Sequence, residues 1–151
     1  MIAVIQRINS AAVYADGELS GSVGRGLYIL LGVTNEDTEA DVAPLAEKIS
    51  KLRIFTDEND KMNLSVKDIS GEVLVVSNFT LNANYAHGNR PDYLKSAPPA
   101  IANELYELFL SEMSKRVVKC ESGVFGADMR TEMSTDGPVT IVMDSKILLK
   151  K

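Results

Sequence analysis

The sequence predicts a single α/β domain, spanning residues 1–151, with a mixed, largely antiparallel β-sheet, a barrel-like core and two main helices. Three observations support this prediction. The length of 151 residues matches the usual size of one domain, and no repeat, low-complexity tract or linker interrupts it. Segments rich in β-branched and aromatic residues lie at both ends of the chain. Between them, two segments place apolar residues at helical spacing.

The N-terminal third reads as strands over residues 2–8, 11–15 and 27–33. Asp16 and Gly17 stand between apolar runs, and Asp-Gly there predicts a type I′ hairpin, because both turn positions need positive φ. Residues 27–33 are apolar at nearly every position, which indicates a central strand buried on both faces. Gly21, Gly24 and Gly26 match neither a dinucleotide-binding nor a phosphate-loop spacing, and we interpret them as turn glycines.

Two segments predict helices. The first begins near Asp41, with Pro44 tolerated in the first turn and an apolar face of Val42, Leu45, Ala46, Ile49 and Leu52. The second opens at Pro98-Pro99, and its apolar stripe comprises Ile101, Ala102, Leu105, Leu108, Phe109 and Met113.

The remaining segments alternate short strands and loops. Residues 53–55 predict a strand followed by a polar turn at 56–61, and 73–76 predict a buried strand that runs into residues 77–81. Residues 82–92 predict a loop, and three further strands are expected near 117–121, 128–133 and 139–144.

Composition excludes several classes of protein. The apolar fraction of 45% and charged fraction of 25% argue against disorder and coiled coil. The longest apolar stretches are far shorter than the roughly 20 residues that cross a bilayer, and no secretory signal is visible, so a cytoplasmic protein without membrane contact is expected. A net charge of −5 argues against coating of long nucleic acid, and any contact with RNA should have a small local footprint.

Few residues offer metal or nucleophilic chemistry. His87 is the only histidine and Cys120 the only cysteine, so neither a histidine-rich metal site, a cysteine zinc site nor an internal disulfide is expected, and no cofactor is predicted. We interpret His87 as a solvated loop residue and Cys120 as a small buried apolar residue.

Two segments are candidates for function. Residues 77–81, Ser-Asn-Phe-Thr-Leu, place two hydroxyls just past a buried strand, where free backbone N–H groups can hold an oxyanion. Residues 135–140, Thr-Asp-Gly-Pro-Val-Thr, read locally as a turn before the last strand.

Together these segments resemble motifs of the D-aminoacyl-tRNA deacylase family, Ser-Gln-x-Thr-Leu and Asn-x-Gly-Pro-x-Thr. Further matches occur in the family's order along the chain: Gln6-Arg7, Leu52 to Phe55, Gly88 to Pro91, Ala97 to Pro99, and Phe125 to Met129.

The resemblance implies a homodimer that hydrolyses the ester between a D-amino acid, or glycine, and the acceptor end of a tRNA. It implies that Gly137-Pro138 is cis, reaches into the partner's active site and excludes L-amino acids. The pocket floor would comprise Ser77, Asn78, Phe79 and Thr80, with Phe125, Met129 and Arg7 beside the substrate.

Two mechanisms are consistent with the motif. Thr80 could attack the ester as a nucleophile, although no base is evident beside it in the sequence. Alternatively, backbone N–H groups near residues 78–80 hold the oxyanion and the ribose 2′-OH helps to position water, which we favour. The chain departs from the motifs at Asn78, where the family has Gln, and at Thr135, where it has Asn.

Two other functions remain open from the sequence. One is a small esterase that uses Thr80 and His87 on free metabolites and therefore needs no tRNA. The other is a nucleic-acid-binding or partner-binding module that has lost turnover, for which the departures at Asn78 and Thr135 give slight support.

Overall fold

The computed structural model describes residues 1–150, and its main feature is a nearly closed mixed sheet covered by helices. The elements follow in chain order as β1 (Ile2–Ala15), β2 (Glu18–Val23), β3 (Gly26–Gly32), α1 (Val42–Ser50), β4 (Phe55–Thr56), β5 (Met62–Leu64), β6 (Glu72–Ser77), α2 (Pro99–Ser114), β7 (Lys119–Ser122), β8 (Met129–Asp144) and α3 (Ser145–Leu149). Short 3₁₀ helices precede α1, at Glu39–Asp41, and follow β6, at Phe79–Asn82.

The order of strands in the main sheet is β2-β1-β3-β6-β7, and β8 pairs with β1. Strand β1 is antiparallel to β2, β3 and β8, whereas β3–β6 and β6–β7 are parallel. The Ser20 hydroxyl on β2 donates to the Ser122 carbonyl on β7 at 2.8 Å, which brings the two ends of this order together. The predicted α/β class with a barrel-like mixed sheet is therefore confirmed.

Alternation along the central strands divides the core into two clusters. Leu27, Ile29 and Leu31 of β3 pack under helices α1 and α2, whereas Tyr28 packs on the opposite face, inside the curved sheet. Strand β6 alternates in the same way, because successive side chains of a strand point to opposite faces. The prediction that residues 27–33 form a central strand is confirmed.

Two predicted strand boundaries at β1 and β8 are wrong. The predicted strands at 2–8 and 11–15 form one strand, β1, because the polar residues Asn9 and Ser10 are accommodated by a register shift against β8. Likewise 128–133 and 139–144 belong to one strand, β8, although Gly137-Pro138 signalled a turn. Gln6 pairs with Thr140 and Ile8 with Thr135, so the chain between residues 135 and 140 bulges opposite Arg7 alone.

Other differences are local. The strand predicted at 53–55 lies at Phe55–Thr56 and pairs with β5, which the sequence did not indicate. The short helix α3 was also missed. On α2, Ile101 is exposed and Tyr106 is buried, because the helix turns the Tyr106 hydroxyl toward the Val75 carbonyl, to which it donates at 3.0 Å.

The Asp16-Gly17 hairpin is confirmed, with φ of 49° and 84° at the two turn residues. Within residues 1–150, no helix has the length and apolar character that crossing a bilayer requires.

Candidate active site

The end of β6 is the point at which the sequence motif meets a cavity. Ser77 ends the strand, and Asn78 follows in extended conformation as the N-cap of the Phe79–Asn82 turn. The Asn78 N–H donates to the Leu31 carbonyl at 2.8 Å, which ties the start of this turn to the end of β3. The turn is therefore fixed at the carboxyl ends of two parallel strands, a place where α/β proteins expose functional groups.

Asn78 accepts hydrogen bonds from both donor groups of Thr80. Its side-chain oxygen accepts from the Thr80 N–H at 3.2 Å and from the Thr80 hydroxyl at 2.5 Å. Asparagine is favoured at an N-cap because its short side chain reaches the free N–H groups of the first turn. The Thr80 hydroxyl thus donates to an amide oxygen, which is too weakly basic to activate it as a nucleophile.

Beside this turn lies a cavity of about 550 Å³, formed by the ends of β3 and β6, the start of α2 and the segment between β7 and β8. It is lined by Tyr28, Leu30, Leu31, Val33, Val76, Ser77, Asn78, Phe79, Ala97, Pro99, Ala102, Tyr106, Phe125, Gly126, Ala127, Met129 and Thr131. Five of the sequence-predicted site residues, Ser77, Asn78, Phe79, Phe125 and Met129, are thereby brought together. Thr80 does not line the cavity. It is exposed and directly follows Phe79, which does line it.

Two buried tyrosines supply polar groups that the sequence analysis missed. The hydroxyls of Tyr28 and Thr131 are 3.0 Å apart in a hydrogen bond, and burial raises the pKa of Tyr28. Burial also raises the pKa of Tyr106, whose hydroxyl is hydrogen-bonded. Both phenols are therefore neutral at physiological pH. The sequence offered one signal for Tyr28, which is that its hydroxyl stands within a predicted central strand that is otherwise apolar.

Gly137 and Pro138 lie apart from this cavity. They are in the bulge of β8 opposite Arg7, and the peptide bond between them is cis. The Arg7 guanidinium is nearly buried and donates to the Asp136 carbonyl at 3.3 Å and the Ile54 carbonyl at 2.7 Å. It also pairs with the Asp136 carboxylate at 3.0 Å. Arg7 thus holds the base of the bulge, while Gly137 and Pro138 are exposed and do not line their own chain's cavity.

The remaining candidates lie outside the cavity. His87 is exposed in the loop that follows the Phe79–Asn82 turn. Burial raises the pKa of the Cys120 thiol to about 11, so it is protonated and a poor nucleophile. Among residues 1–150, His, Cys, Asp and Glu side chains form no group of three or more suited to a metal ion.

A family model described as D-Tyr-tRNA(Tyr) deacylase matches residues 4–144, which include the whole cavity wall and the β8 bulge. The chain belongs to the D-Tyr-tRNA(Tyr) deacylase family. It is 50% identical to the D-aminoacyl-tRNA deacylase of Koribacter versatilis, over 97% of this chain and 98% of the relative. The corresponding protein of Thermosipho africanus is 51% identical over the same shares of the two chains.

Two solved structures have the same fold. A protein named c-Myc DNA Unwinding Element Binding Protein superposes with a TM-score of 0.89 at 39% identity, covering 95% of this chain and 98% of its own. A probable eukaryotic D-amino acid tRNA deacylase has the same fold, with a TM-score of 0.82 at 13% identity over 94% and 97% of the two chains.

Within this deacylase family, the two motif departures have different structural surroundings. Asn78 makes the cap described above. Thr135 pairs with Ile8 at the edge of the bulge, and its carbonyl accepts from the Asn9 side chain at 3.5 Å. The Thr135 contact uses only the backbone carbonyl, so it does not depend on the identity of that side chain.

Proposed function

We propose that this protein hydrolyses the ester bond of D-aminoacyl-tRNA, releasing the D-amino acid and tRNA in the cytoplasm. The observation that best supports this assignment is the capped Phe79–Asn82 turn, which presents backbone N–H groups at the wall of an apolar cavity in a member of a deacylase family. Such N–H groups stabilise the negative charge that develops on an ester carbonyl under attack by water.

The proposed chemistry needs no covalent intermediate. Water attacks the ester carbon, the carbonyl oxygen becomes an oxyanion, and the bond to the ribose 3′ oxygen then breaks. That oxygen takes up the proton which water gives up, so the products are the free amino acid and a 3′-hydroxyl end. The Phe79 N–H, at the first position of the turn, has no acceptor within it and is the first proposed oxyanion donor. The Thr80 N–H is the second, and it would exchange its hydrogen bond to the Asn78 side chain for one to the oxyanion. The ribose 2′-OH of the substrate helps to position the water.

Gly137 and Pro138 are the proposed chiral filter, supplied across a dimer. In their own chain they are exposed on a bulge to which Arg7 is hydrogen-bonded, and they do not line the cavity. In a homodimer, their carbonyls would press against the substrate's Cα in the partner's cavity and would clash with an L side chain. A D side chain would point away, so its identity should matter little. Glycine has no side chain to clash, and we therefore propose glycyl-tRNA as a second substrate.

The surface of β8 supports the proposed dimer. Among the described residues β8 pairs only with β1, and Met133 and Val142 on it are exposed. Burial of these residues against a second copy would remove an open apolar strand edge, which proteins usually cover. Light scattering should give a mass near twice 16.4 kDa.

The decisive experiment compares the release of D-tyrosine and L-tyrosine from matched aminoacyl-tRNAs at equal enzyme and low salt. Rapid loss of the D-ester with the L-ester intact is the expected result. Loss of both esters would support the esterase chemistry and refute the proposed role of Gly137-Pro138 as a chiral filter. A folded sample that hydrolyses neither ester would refute the proposal.

A second candidate is a nucleic-acid-binding module without turnover. The observation in its favour is the name of the 39% identical structural relative, which refers to binding of a DNA element. Binding of tRNA with no hydrolysis of either ester would favour this candidate.

A further inference from the structure

The loop of residues 83–96 is anchored firmly and yet exposes side chains that its own structure does not use. Asn84 and Asp92 close its neck through two backbone hydrogen bonds of 2.8 and 3.0 Å and a side-chain hydrogen bond of 3.0 Å. The Lys95 carbonyl accepts from the Asn35 N–H at 2.9 Å, which ties the end of the loop to the segment after β3. Residues 85–91 therefore project as an exposed tip on a fixed base.

Aromatic side chains connect this loop to the cavity. Tyr93 packs edge-on against Phe79, with ring centroids 5.0 Å apart and planes at 77°. Phe79 itself lines the cavity and is 59% exposed. Tyr85 lies on the other side of the Asn84–Asp92 neck and is 82% exposed. Exposed rings of this kind offer flat faces on which unpaired bases can stack.

The loop also carries positive charge in an acidic chain. Arg90 and Lys95 are exposed and form no ion pair within residues 1–150. The carboxylate of Asp92, the only acid in the loop, accepts from the Asn84 side chain and the Leu94 N–H. Against a net charge of −5, these two cations make the loop locally positive, and positive side chains attract phosphates.

We infer that the 83–96 loop binds the single-stranded nucleotides that precede the terminal nucleotide of the tRNA acceptor end. Tyr85 would stack on an unpaired base, and Arg90 and Lys95 would contact phosphates. A paired helix would not fit this surface as well, because its bases are stacked on one another and unavailable to the rings. The inference rests on the proposed function, which puts the ester in the cavity that the loop adjoins through the Phe79–Tyr93 contact. It also meets the small footprint expected of an acidic RNA-contacting protein.

The test compares two substrates that share the ester and differ in the RNA behind it. One is D-tyrosyl-tRNA, and the other is the D-tyrosyl ester of adenosine alone. We expect Tyr85→Ala and Arg90→Gln to lower kcat/KM about fivefold or more on the tRNA and to leave the adenosine ester unaffected. Tyr85→Phe keeps the ring and should retain activity on both. Lys48→Gln, an equal change of charge on an exposed helix residue that does not line the cavity, is the matched control.

Two direct measurements keep this inference separate from the proposed activity. Fluorescence anisotropy across salt concentrations follows the binding of an oligonucleotide that has the acceptor sequence and carries no amino acid. The plot of log K against log salt concentration has a negative slope. Its magnitude should be smaller by about 0.7 for Arg90→Gln, the value for one phosphate contact on a single strand. Light scattering of Tyr85→Ala tests whether Tyr85 contacts a second copy instead.

The outcomes are distinct. Equal losses on both substrates, no loss on either, or conversion of a dimer to a monomer by Tyr85→Ala would each overturn the loop inference. If the wild-type protein hydrolyses neither substrate but binds the oligonucleotide, and Arg90→Gln weakens that binding, the proposed function is refuted while binding of single-stranded nucleotides by the loop is supported.

Discussion

The side-chain oxygen of Asn78 accepts hydrogen bonds from both the hydroxyl and the N–H of Thr80, at 2.5 and 3.2 Å. One amide oxygen thus fixes the conformation of the turn at the cavity wall and occupies the two groups that Thr80 could offer to a substrate. In the proposed mechanism the oxyanion would compete with Asn78 for the Thr80 N–H, whereas the Thr80 hydroxyl has an acceptor and no base. This arrangement favours hydrolysis by water over attack by Thr80.

Thr80→Ala should therefore retain kcat/KM within about tenfold of the wild type, since the backbone N–H groups remain. A substrate with a 2′-deoxy terminal ribose should lose about 100-fold or more, comparable to the loss of an oxyanion donor. Both are measured by release of D-tyrosine in single-turnover assays. An inert Thr80→Ala protein with an unchanged melting curve would instead identify Thr80 as the nucleophile.

Substitutions of Asn78 should separate its role in stability from its role in activity. Asn78→Ala removes the cap, and we expect it to lower the free energy of unfolding by about 1 kcal/mol. Asn78→Asp keeps the cap and the stability but places a negative charge beside the developing oxyanion, so its kcat should fall below that of Asn78→Ala. Urea unfolding and kcat measured on both variants check this. The opposite order of kcat would show that no oxyanion forms at this turn.

Arg7→Met should loosen the β8 bulge that presents Gly137 and Pro138. The substitution leaves the carbonyls of Ile54 and Asp136 without their donor, which should lower the free energy of unfolding by about 2 kcal/mol. The ratio of D-tyrosine to L-tyrosine release should fall at least about tenfold, that is by roughly 1.4 kcal/mol of discrimination.

Asp136→Asn is the matched control for Arg7, because it removes only a partly exposed ion pair and keeps the backbone acceptor. We expect a cost of less than about 1 kcal/mol and unchanged discrimination. If Arg7→Met discriminates like the wild type, Arg7 does not position the filter.

Acid should destabilise the protein through Asp41. Burial opposes ionisation of its carboxyl, but hydrogen bonds from the Ser145 hydroxyl at 2.6 Å, the Thr38 N–H at 2.9 Å and Lys146 at 2.9 Å outweigh it and lower the pKa below 3.8. Because the folded pKa is below the unfolded one, the stabilisation is fully present above about pH 4 and is lost as the pH falls through the folded pKa.

Urea unfolding between pH 7 and pH 3 measures this effect. Asp41→Asn should lower the free energy of unfolding by about 2 kcal/mol at pH 7, and its difference from the wild type should shrink at pH 3. The comparison isolates Asp41 from other acids with lowered pKa values, such as Asp57 and Asp68. A difference that does not change with pH would assign the cost to the loss of a hydrogen-bond acceptor and not to the loss of the charge.

Local patterns were sufficient for the parts of the fold that depend on neighbours in sequence. The apolar run of β3 indicated a strand buried on both faces, and Asp16-Gly17 indicated a hairpin. The polar motif directly after β6 indicated a site at the end of a buried strand, and the structure places Ser77, Asn78 and Phe79 at the cavity wall. Each of these inferences uses a turn or a periodicity that a few consecutive residues determine.

The tertiary structure decided what depends on register between distant strands. Gly137-Pro138 looked like a turn between two strands, yet the pairing of Gln6 with Thr140 and of Ile8 with Thr135 makes it a bulge within one strand, opposite Arg7. The contact of Arg7 with Asp136 spans 129 positions in the chain. Periodicity reports which face of a strand is buried and says nothing about which distant residue lies opposite. The sequence by itself therefore determined the central strand, the hairpin, the motif and the family resemblance. The tertiary structure of the nearly closed sheet and the elements around it determined the cavity and the position of the bulge.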